Sequence, residues 1–113
     1  MPVKIINFKK YQDPSGDLIP FYTNLKGRFP FNNRRIFLVY GKKNYKRSDH
    51  AHKSCKQLLV CINGSIKIVI NKKKIFKLDS KNSQGLLVPK LNLSEIFFLK
   101  KKSILMVFCD KQY

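Results

Sequence analysis

The chain has two histidines, His50 and His52, and they are the residues best suited to proton transfer. Imidazole titrates near neutral pH, so one ring can accept a proton and another can donate one without extreme tuning. Residues two apart on an extended strand point to the same side, so a strand here would set the rings side by side. The pair could act as base and proton shuttle, and the sequence leaves open which ring has which role.

Two histidines on one strand face could also bind a metal, but a stable site needs three or four ligands. The chain has no third histidine. Its three cysteines, Cys55, Cys61 and Cys109, are an odd number without CxxC spacing, which argues against a structural zinc site and a disulfide framework. We therefore predict no metal, no cofactor and reduced thiols in the cytoplasm.

The elements that must position the histidines are short strands. After Gln57 an apolar run ends at Asn63-Gly64, a strong hairpin signal, so we predict a buried strand over 57–62 that turns into a strand over 65–70. No segment predicts a convincing helix. Regular short strands separated by turns indicate a single-domain sandwich or barrel. The other predicted strands are 3–8, 18–22, 35–40, 75–78, 86–89, 96–99 and 104–108, with a further strand through the histidines.

The formal net charge is +18, which raises the question of an anionic partner. The sequence lacks a recognition helix, a zinc finger and an RNP-type aromatic pair, so we interpret the lysines as a solvated face and expect no nucleic-acid partner. A basic nucleic-acid-binding barrel, with steeply salt-dependent affinity, stays an alternative. No apolar run approaches the roughly 18 residues of a membrane span, so we expect a soluble, cytoplasmic protein without a membrane partner.

The spacing HxH, four residues, Gln57, six residues, Gly64 resembles the first motif of the cupin superfamily. Residues 47–53 (RSDHAHK), 57–65 (QLLVCINGS), 78–80 (LDS) and 85–89 (GLLVP) together resemble the sugar 3,4-ketoisomerase family. This similarity runs in order from about Ile6 to Asp110. It implies an all-β fold, a cupin-type antiparallel β-barrel, also called a double-stranded β-helix or jelly roll.

The resemblance also implies an activity. Family members move the keto group of a dTDP-4-keto-6-deoxyhexose from C4 to C3 without a metal, in deoxysugar biosynthesis for surface polysaccharide. His50 and His52 would be catalytic, and Arg47 would hold the diphosphate or polarise the sugar. The resemblance further implies a homodimer formed by N-terminal strand exchange. Besides Arg47, the expected substrate-binding residues are Arg35, Gln57, Phe37 and Lys53.

The sequence departs from the family at several positions. Ser15 replaces an arginine, Phe37 a tyrosine and Ser94 a histidine, and the chain ends at Tyr113 without the usual acidic, tyrosine-rich tail. A catalytically degenerate nucleotide-sugar-binding cupin is therefore an alternative. A metal-dependent cupin oxygenase is a further one, although Gln57 stands where such cupins carry a glutamate.

Overall fold

The computed structural model describes residues 2–49 and 55–111. Within them, the regular structure consists of strands and one 3-10 turn at Leu25–Gly27. The prediction of short strands is therefore confirmed for these residues. The strands are β1 (Lys4–Asn7), β2 (Tyr11–Asp13), β3 (Gly16–Leu18), β4 (Arg35–Tyr40), β5 (Lys46–Asp49), β6 (Gln57–Asn63), β7 (Ser65–Ile70), β8 (Lys74–Asp79), β9 (Gln84–Val88), β10 (Ser94–Phe98) and β11 (Ile104–Cys109).

Two antiparallel sheets face each other across an apolar interior. One sheet has the strand order β1-β9-β6-β11-β4, the other has the order β5-β10-β7-β8, and β2 and β3 form a separate hairpin. Alternate residues of each strand point inward, because side chains along a strand alternate between its two faces. The interior cluster draws on both sheets and includes Leu59, Ile66, Ile68, Leu86, Ile96, Phe98, Leu105 and Val107, all with exposures of 4% or less.

The predicted hairpin at Asn63-Gly64 is wrong in its pairing. β6 ends at Asn63 and β7 begins at Ser65, and Gly64 has a φ of 77°. However, β6 pairs with β9 and β11, whereas β7 pairs with β8 and β10. The glycine therefore turns the chain from one sheet into the other. The turn signal predicts a change of direction, but it does not specify which strands pair.

The predicted strand over 18–22 is also wrong. β3 ends at Leu18, and residues 19–24 have no strand structure. Pro20 has no N–H to donate to a neighbouring strand. Instead, Phe21 packs on the outer face of the five-stranded sheet, with its ring centroid 4.8 Å from that of Phe8 and 5.1 Å from that of Phe108.

Phe29 and Phe31 pack with Phe8, Phe21 and Phe108, and we call these five residues the outer aromatic cluster. Phe29 and Phe31 are both buried, and the ring of Phe29 lies 5.1 Å from the rings of Phe31 and Phe108. Aromatic side chains bury large apolar areas and prefer such tilted or edge-on contacts. The segment before β4 is therefore a cover for one part of the outer face of the sheet.

Another part of that outer face is bare. Ile36, Leu38 and Tyr40 point outward from the edge strand β4, and 51%, 44% and 71% of these residues is exposed. We call these three residues the β4 strip. Their partners on β11 are Phe108, Met106 and Ile104, so two adjacent strands present only apolar side chains on this side.

Many basic residues lie in the connections between strands. Lys72 and Lys73 lie in the turn between β7 and β8, and Lys100 to Lys102 lie between β10 and β11. In the part of the chain that the structure describes, no helix is long and apolar enough to cross a membrane.

Candidate active site

Arg35, Cys109 and Gln57 form a row of side chains across three strands at one end of the interior. In the antiparallel register, Cys109 of the central strand β11 lies opposite Arg35 of β4 on one side and opposite Gln57 of β6 on the other. Directly opposed residues project from the same face of a sheet. The row therefore points inward, as do the next inward residues of β4, Phe37 and Val39, which pack against the interior cluster.

The sulfur of Cys109 accepts hydrogen bonds from both neighbours in this row. Arg35 Nη2 lies 3.5 Å from Cys109 Sγ, and Gln57 Nε2 lies 3.9 Å from it. Gln57 is 3% exposed and Cys109 is fully buried. Two of the predicted substrate-binding side chains are thus joined through one thiol.

Phe37 supports the same arginine. The guanidinium carbon of Arg35 lies 5.1 Å from the centroid of the Phe37 ring, within the range of a cation–π contact. The interpretation of Phe37 as an inward aromatic residue is therefore correct for its position. Its predicted role in binding substrate stays a prediction.

Cys55 lies beside Cys109 at this end of the barrel. Burial, followed by the neighbouring Cys109 thiol, raises the pKa of the Cys55 thiol to about 11, and the charge of Arg35 opposes the shift. The backbone N–H of Lys56 donates to the Asp110 carboxylate at 2.8 Å, which fixes the start of β6 against the end of β11. The thiol of Cys55 is therefore protonated at neutral pH.

The other predicted site positions lie apart from the row. Arg47 on β5 is exposed and lines a groove with Tyr40, Gly41 and Phe98. Ser94, which replaces the family's histidine, is 1% exposed and pairs with Asp49 at the last residue of β5.

Ser15, which replaces the family's arginine, lies in the turn of the β2–β3 hairpin. Its backbone N–H donates to the Asp13 carboxylate at 2.8 Å. Hydrogen bonds from Ser15 lower the pKa of Asp13. This position therefore presents a local turn contact in place of a positive charge.

His50, His52 and Lys53 lie outside the described residues. β5 ends at Asp49, and the described chain resumes at Cys55, two residues before Gln57. The described end of this connection at Cys55 therefore lies next to the row. Within residues 2–49 and 55–111, no group of three or more histidine, cysteine, aspartate or glutamate side chains is arranged to hold a metal ion.

Sequence reasoning missed the part that Cys109 has in the site. The alternation of β11 indicates that Cys109 shares a face with Val107 and Leu105, and this much is readable from the sequence. Its two partners are 74 and 52 residues away in the chain, and a strand pattern does not specify which strands pair.

The register between β6 and β11 is not uniform. Cys61 lies opposite Leu105, but Asn63 lies opposite Ile104, so Ile62 has no partner on β11. This irregularity is a β-bulge in which one strand carries an extra residue. Between the bulge and the row, pairing is regular from Cys61 to Gln57.

Known proteins share this fold and much of this sequence. The TDP-4-oxo-6-deoxy-alpha-D-glucose-3,4-oxoisomerase of Aneurinibacillus thermoaerophilus is 32% identical over 117 residues, which span 100% of this chain and 82% of that protein. The crystal structure of QdtA, a sugar 3,4-ketoisomerase from Thermoanaerobacterium thermosaccharolyticum in complex with TDP, matches with a TM-score of 0.89. It is 32% identical, and the match covers 98% of this chain and 82% of QdtA.

A more distant structure shows the same fold. The dTDP-6-deoxy-D-glucose-3,5-epimerase RmlC from Legionella pneumophila matches with a TM-score of 0.84 at 16% identity, over 98% of this chain and 68% of RmlC. The two facing antiparallel sheets are thus a cupin-type β-barrel, as predicted. Within that class, the chain belongs to the family described as "FdtA: WxcM-like, C-terminal", whose model matches residues 1–113.

Proposed function

We propose that the chain is a 3,4-ketoisomerase that moves the keto group of a TDP-linked 4-keto-6-deoxyhexose from C4 to C3. The observation that carries this proposal is the match of the whole chain to the WxcM-like family, together with 32% identity to a named 3,4-oxoisomerase. The inward row of Arg35, Cys109 and Gln57 supports it, because it lines a barrel interior with a cation and an amide. We further propose that residues 1–113 act as one domain, since both sheets contribute to one interior cluster.

The reaction needs a proton taken from C3, a stabilised enediolate and a proton returned at C4. We assign the two proton transfers to His50 and His52, because imidazole can take and give a proton near neutral pH. Arg35 and Arg47 are proposed to contact the diphosphate or the sugar oxygens, since a guanidinium binds such groups through two parallel hydrogen bonds. We propose Gln57, Phe37 and Lys53 as further substrate contacts.

Proton NMR in D2O with dTDP-4-keto-6-deoxyglucose tests the reaction. Loss of the C3 proton signal, with a 3-keto product appearing, is the expected result. An unchanged C3 proton would contradict the proposal, and ligand line-broadening in that sample would favour the nucleotide-sugar-binding alternative. In an active enzyme, His52→Asn should abolish turnover and leave ligand affinity little changed.

We also propose that two copies associate through the β4 strip and exchanged N-terminal strands. On a chain with a net charge of +18, copies approach most readily where both faces are apolar. A standard interface uses about 20–30 residues a side, more than the strip offers, so exchange of β1 would supply further contacts. In the single chain β1 pairs with β9 from Lys4 to Asn7, and exchange would form this pairing between copies.

Light scattering after size exclusion tests the association. Leu38→Lys places a charge in the β4 strip and should shift the protein to a monomer. Ile75→Lys is the matched control, because Ile75 is an apolar residue on β8 that is 67% exposed. A dimer that persists in Leu38→Lys would contradict the proposal that this surface is the interface.

A TDP-linked substrate and three free thiols support our proposal that the enzyme works in the cytoplasm.

A further inference from the structure

Cys109 lies between Arg35 and Gln57, and its side chain reaches both. It lies on β11, between β4 and β6 in the sheet, with both residues directly opposite in register. It is fully buried, so its sulfur has no contact with bulk water. Its backbone is held by the segment before β4, since its N–H donates to Asn33 Oδ1 at 3.1 Å and its carbonyl accepts from the Arg34 N–H at 2.7 Å.

The two contacts to the sulfur are hydrogen bonds from opposite sides of the strand. Arg35 Nη2 donates at 3.5 Å and Gln57 Nε2 donates at 3.9 Å. A thiol sulfur is a weak acceptor that carries no charge when protonated. It can therefore orient the guanidinium without neutralising it, whereas a carboxylate at this position would form an ion pair with Arg35 and compete with an anionic ligand.

Cys55 also contacts the row formed by Arg35, Cys109 and Gln57. Its thiol contacts Cys109, and its Sγ lies 3.5 Å from the Lys56 carbonyl oxygen, to which it donates. The carboxylate that faces this thiol pair is Asp110, and it accepts from the Lys56 backbone N–H at 2.8 Å. The Asp110 carboxylate is thus held by the Lys56 backbone, and the sulfur of Cys109 accepts from both Arg35 and Gln57.

We propose that Cys109 is a positioning residue for the isomerase, which holds the Arg35 guanidinium and the Gln57 amide at a fixed separation on the inner wall. This inference rests on the proposed function. Cys109 would act through these two side chains, which we propose as substrate contacts, and not on the reacting atoms. Because Arg35 also packs over Phe37, its guanidinium contacts both the sulfur and the ring.

Three variants test this role. Cys109→Val removes the acceptor at similar volume, and Cys109→Ser restores an acceptor. Cys61→Val is the matched control, because Cys61 is another buried thiol on the inward face of β6. Loss of one net hydrogen bond should weaken TDP binding by Cys109→Val by about threefold to tenfold. Cys109→Ser should bind TDP nearly as well as the wild type, and Cys61→Val should be unchanged.

Two measurements separate this inference from the proposed function. Calorimetric titration gives the TDP affinity, and the 15N–1H resonance of Arg35 Nε, assigned with Arg35→Lys, reports on the guanidinium without ligand. Cys109→Val should shift or broaden that resonance, and Cys61→Val should not. Wild-type affinity together with an unmoved resonance in Cys109→Val would overturn the positioning role. A wild-type protein that binds no TDP would overturn the proposed function, and the resonance alone would then decide whether Cys109 fixes Arg35.

Discussion

Arg34 and Arg35 are adjacent in the chain but differ in what they face, which makes them a matched pair for mutation. Arg35 points into the barrel, where it contacts Cys109 and the Phe37 ring, whereas Arg34 is exposed. Replacing each arginine by glutamine removes one positive charge and shortens one long side chain. The net charge of the protein changes equally in both variants, so a difference between them reports on location.

The size of the difference follows from the place of the Arg35 charge. A hydrogen bond from a charged donor contributes about 1.5–3 kcal/mol, or a factor of roughly 10 to 150 in affinity. An exposed charge acts through water and salt and contributes about 0–1 kcal/mol. We therefore expect Arg35→Gln to weaken TDP binding by about tenfold or more, and Arg34→Gln by about fivefold at most. Arg35→Lys keeps the charge but loses the planar fork, so its affinity should lie between wild type and Arg35→Gln.

Isothermal titration with TDP measures these affinities without requiring turnover. Thermal unfolding of each variant in parallel shows whether a weak binder is still folded. Equal losses in Arg35→Gln and Arg34→Gln would refute the reasoning, because they would show that the ligand senses overall charge and not the inward guanidinium. Arg35→Lys binding as poorly as Arg35→Gln would instead show that the fork matters more than the charge.

Three further predictions concern stability. Phe29→Ala should lower the free energy of unfolding by about 3–5 kcal/mol in urea denaturation, because it empties the outer aromatic cluster; a loss below about 1 kcal/mol would contradict the packing. Gly64→Ala should be destabilising in the same assay, since its φ of 77° is strained for alanine and a Cβ would collide with Ser103, and an unchanged midpoint would disprove this. Burial raises the pKa of Cys55 and of Cys61 from 9.0 to about 11. The free energy of unfolding should therefore keep its full value below pH 9 and fall as the pH rises through 11, because the unfolded thiols lose their protons first. A free energy of unfolding that stays constant over this pH range would contradict this prediction.

Alternation within strands was predictable, and the partners of strands were not. The sequence indicates that Arg35, Phe37 and Val39 share one face, and the structure confirms that this face is inward. The Asn63-Gly64 pair correctly marks a turn, yet the strands beside it lie in different sheets. Local propensity acts over a few residues, whereas pairing is decided by where distant apolar faces can be buried together.

The same limit applies to the candidate site. The motif around His50 and His52 points to the family, because its residues are close in the chain. The contact of Cys109 with Arg35 and Gln57 depends on two registers between distant strands, and no local pattern carries that information. The catalytic roles of the two histidines stay predictions, since these residues lie outside those that the structure describes.

The bulge at Ile62 divides β6 into two segments that pair with β11 in different registers. On one side of the bulge, Asn63 leads into the turn toward the opposite sheet. On the other side, the residues from Cys61 to Gln57 pair in regular register with β11. A change of one residue near the turn can be taken up at the bulge, so the Gln57 side chain keeps its inward direction. The bulge thus separates the end of β6 that leads into the turn from the end that carries Gln57, where we propose that the substrate binds.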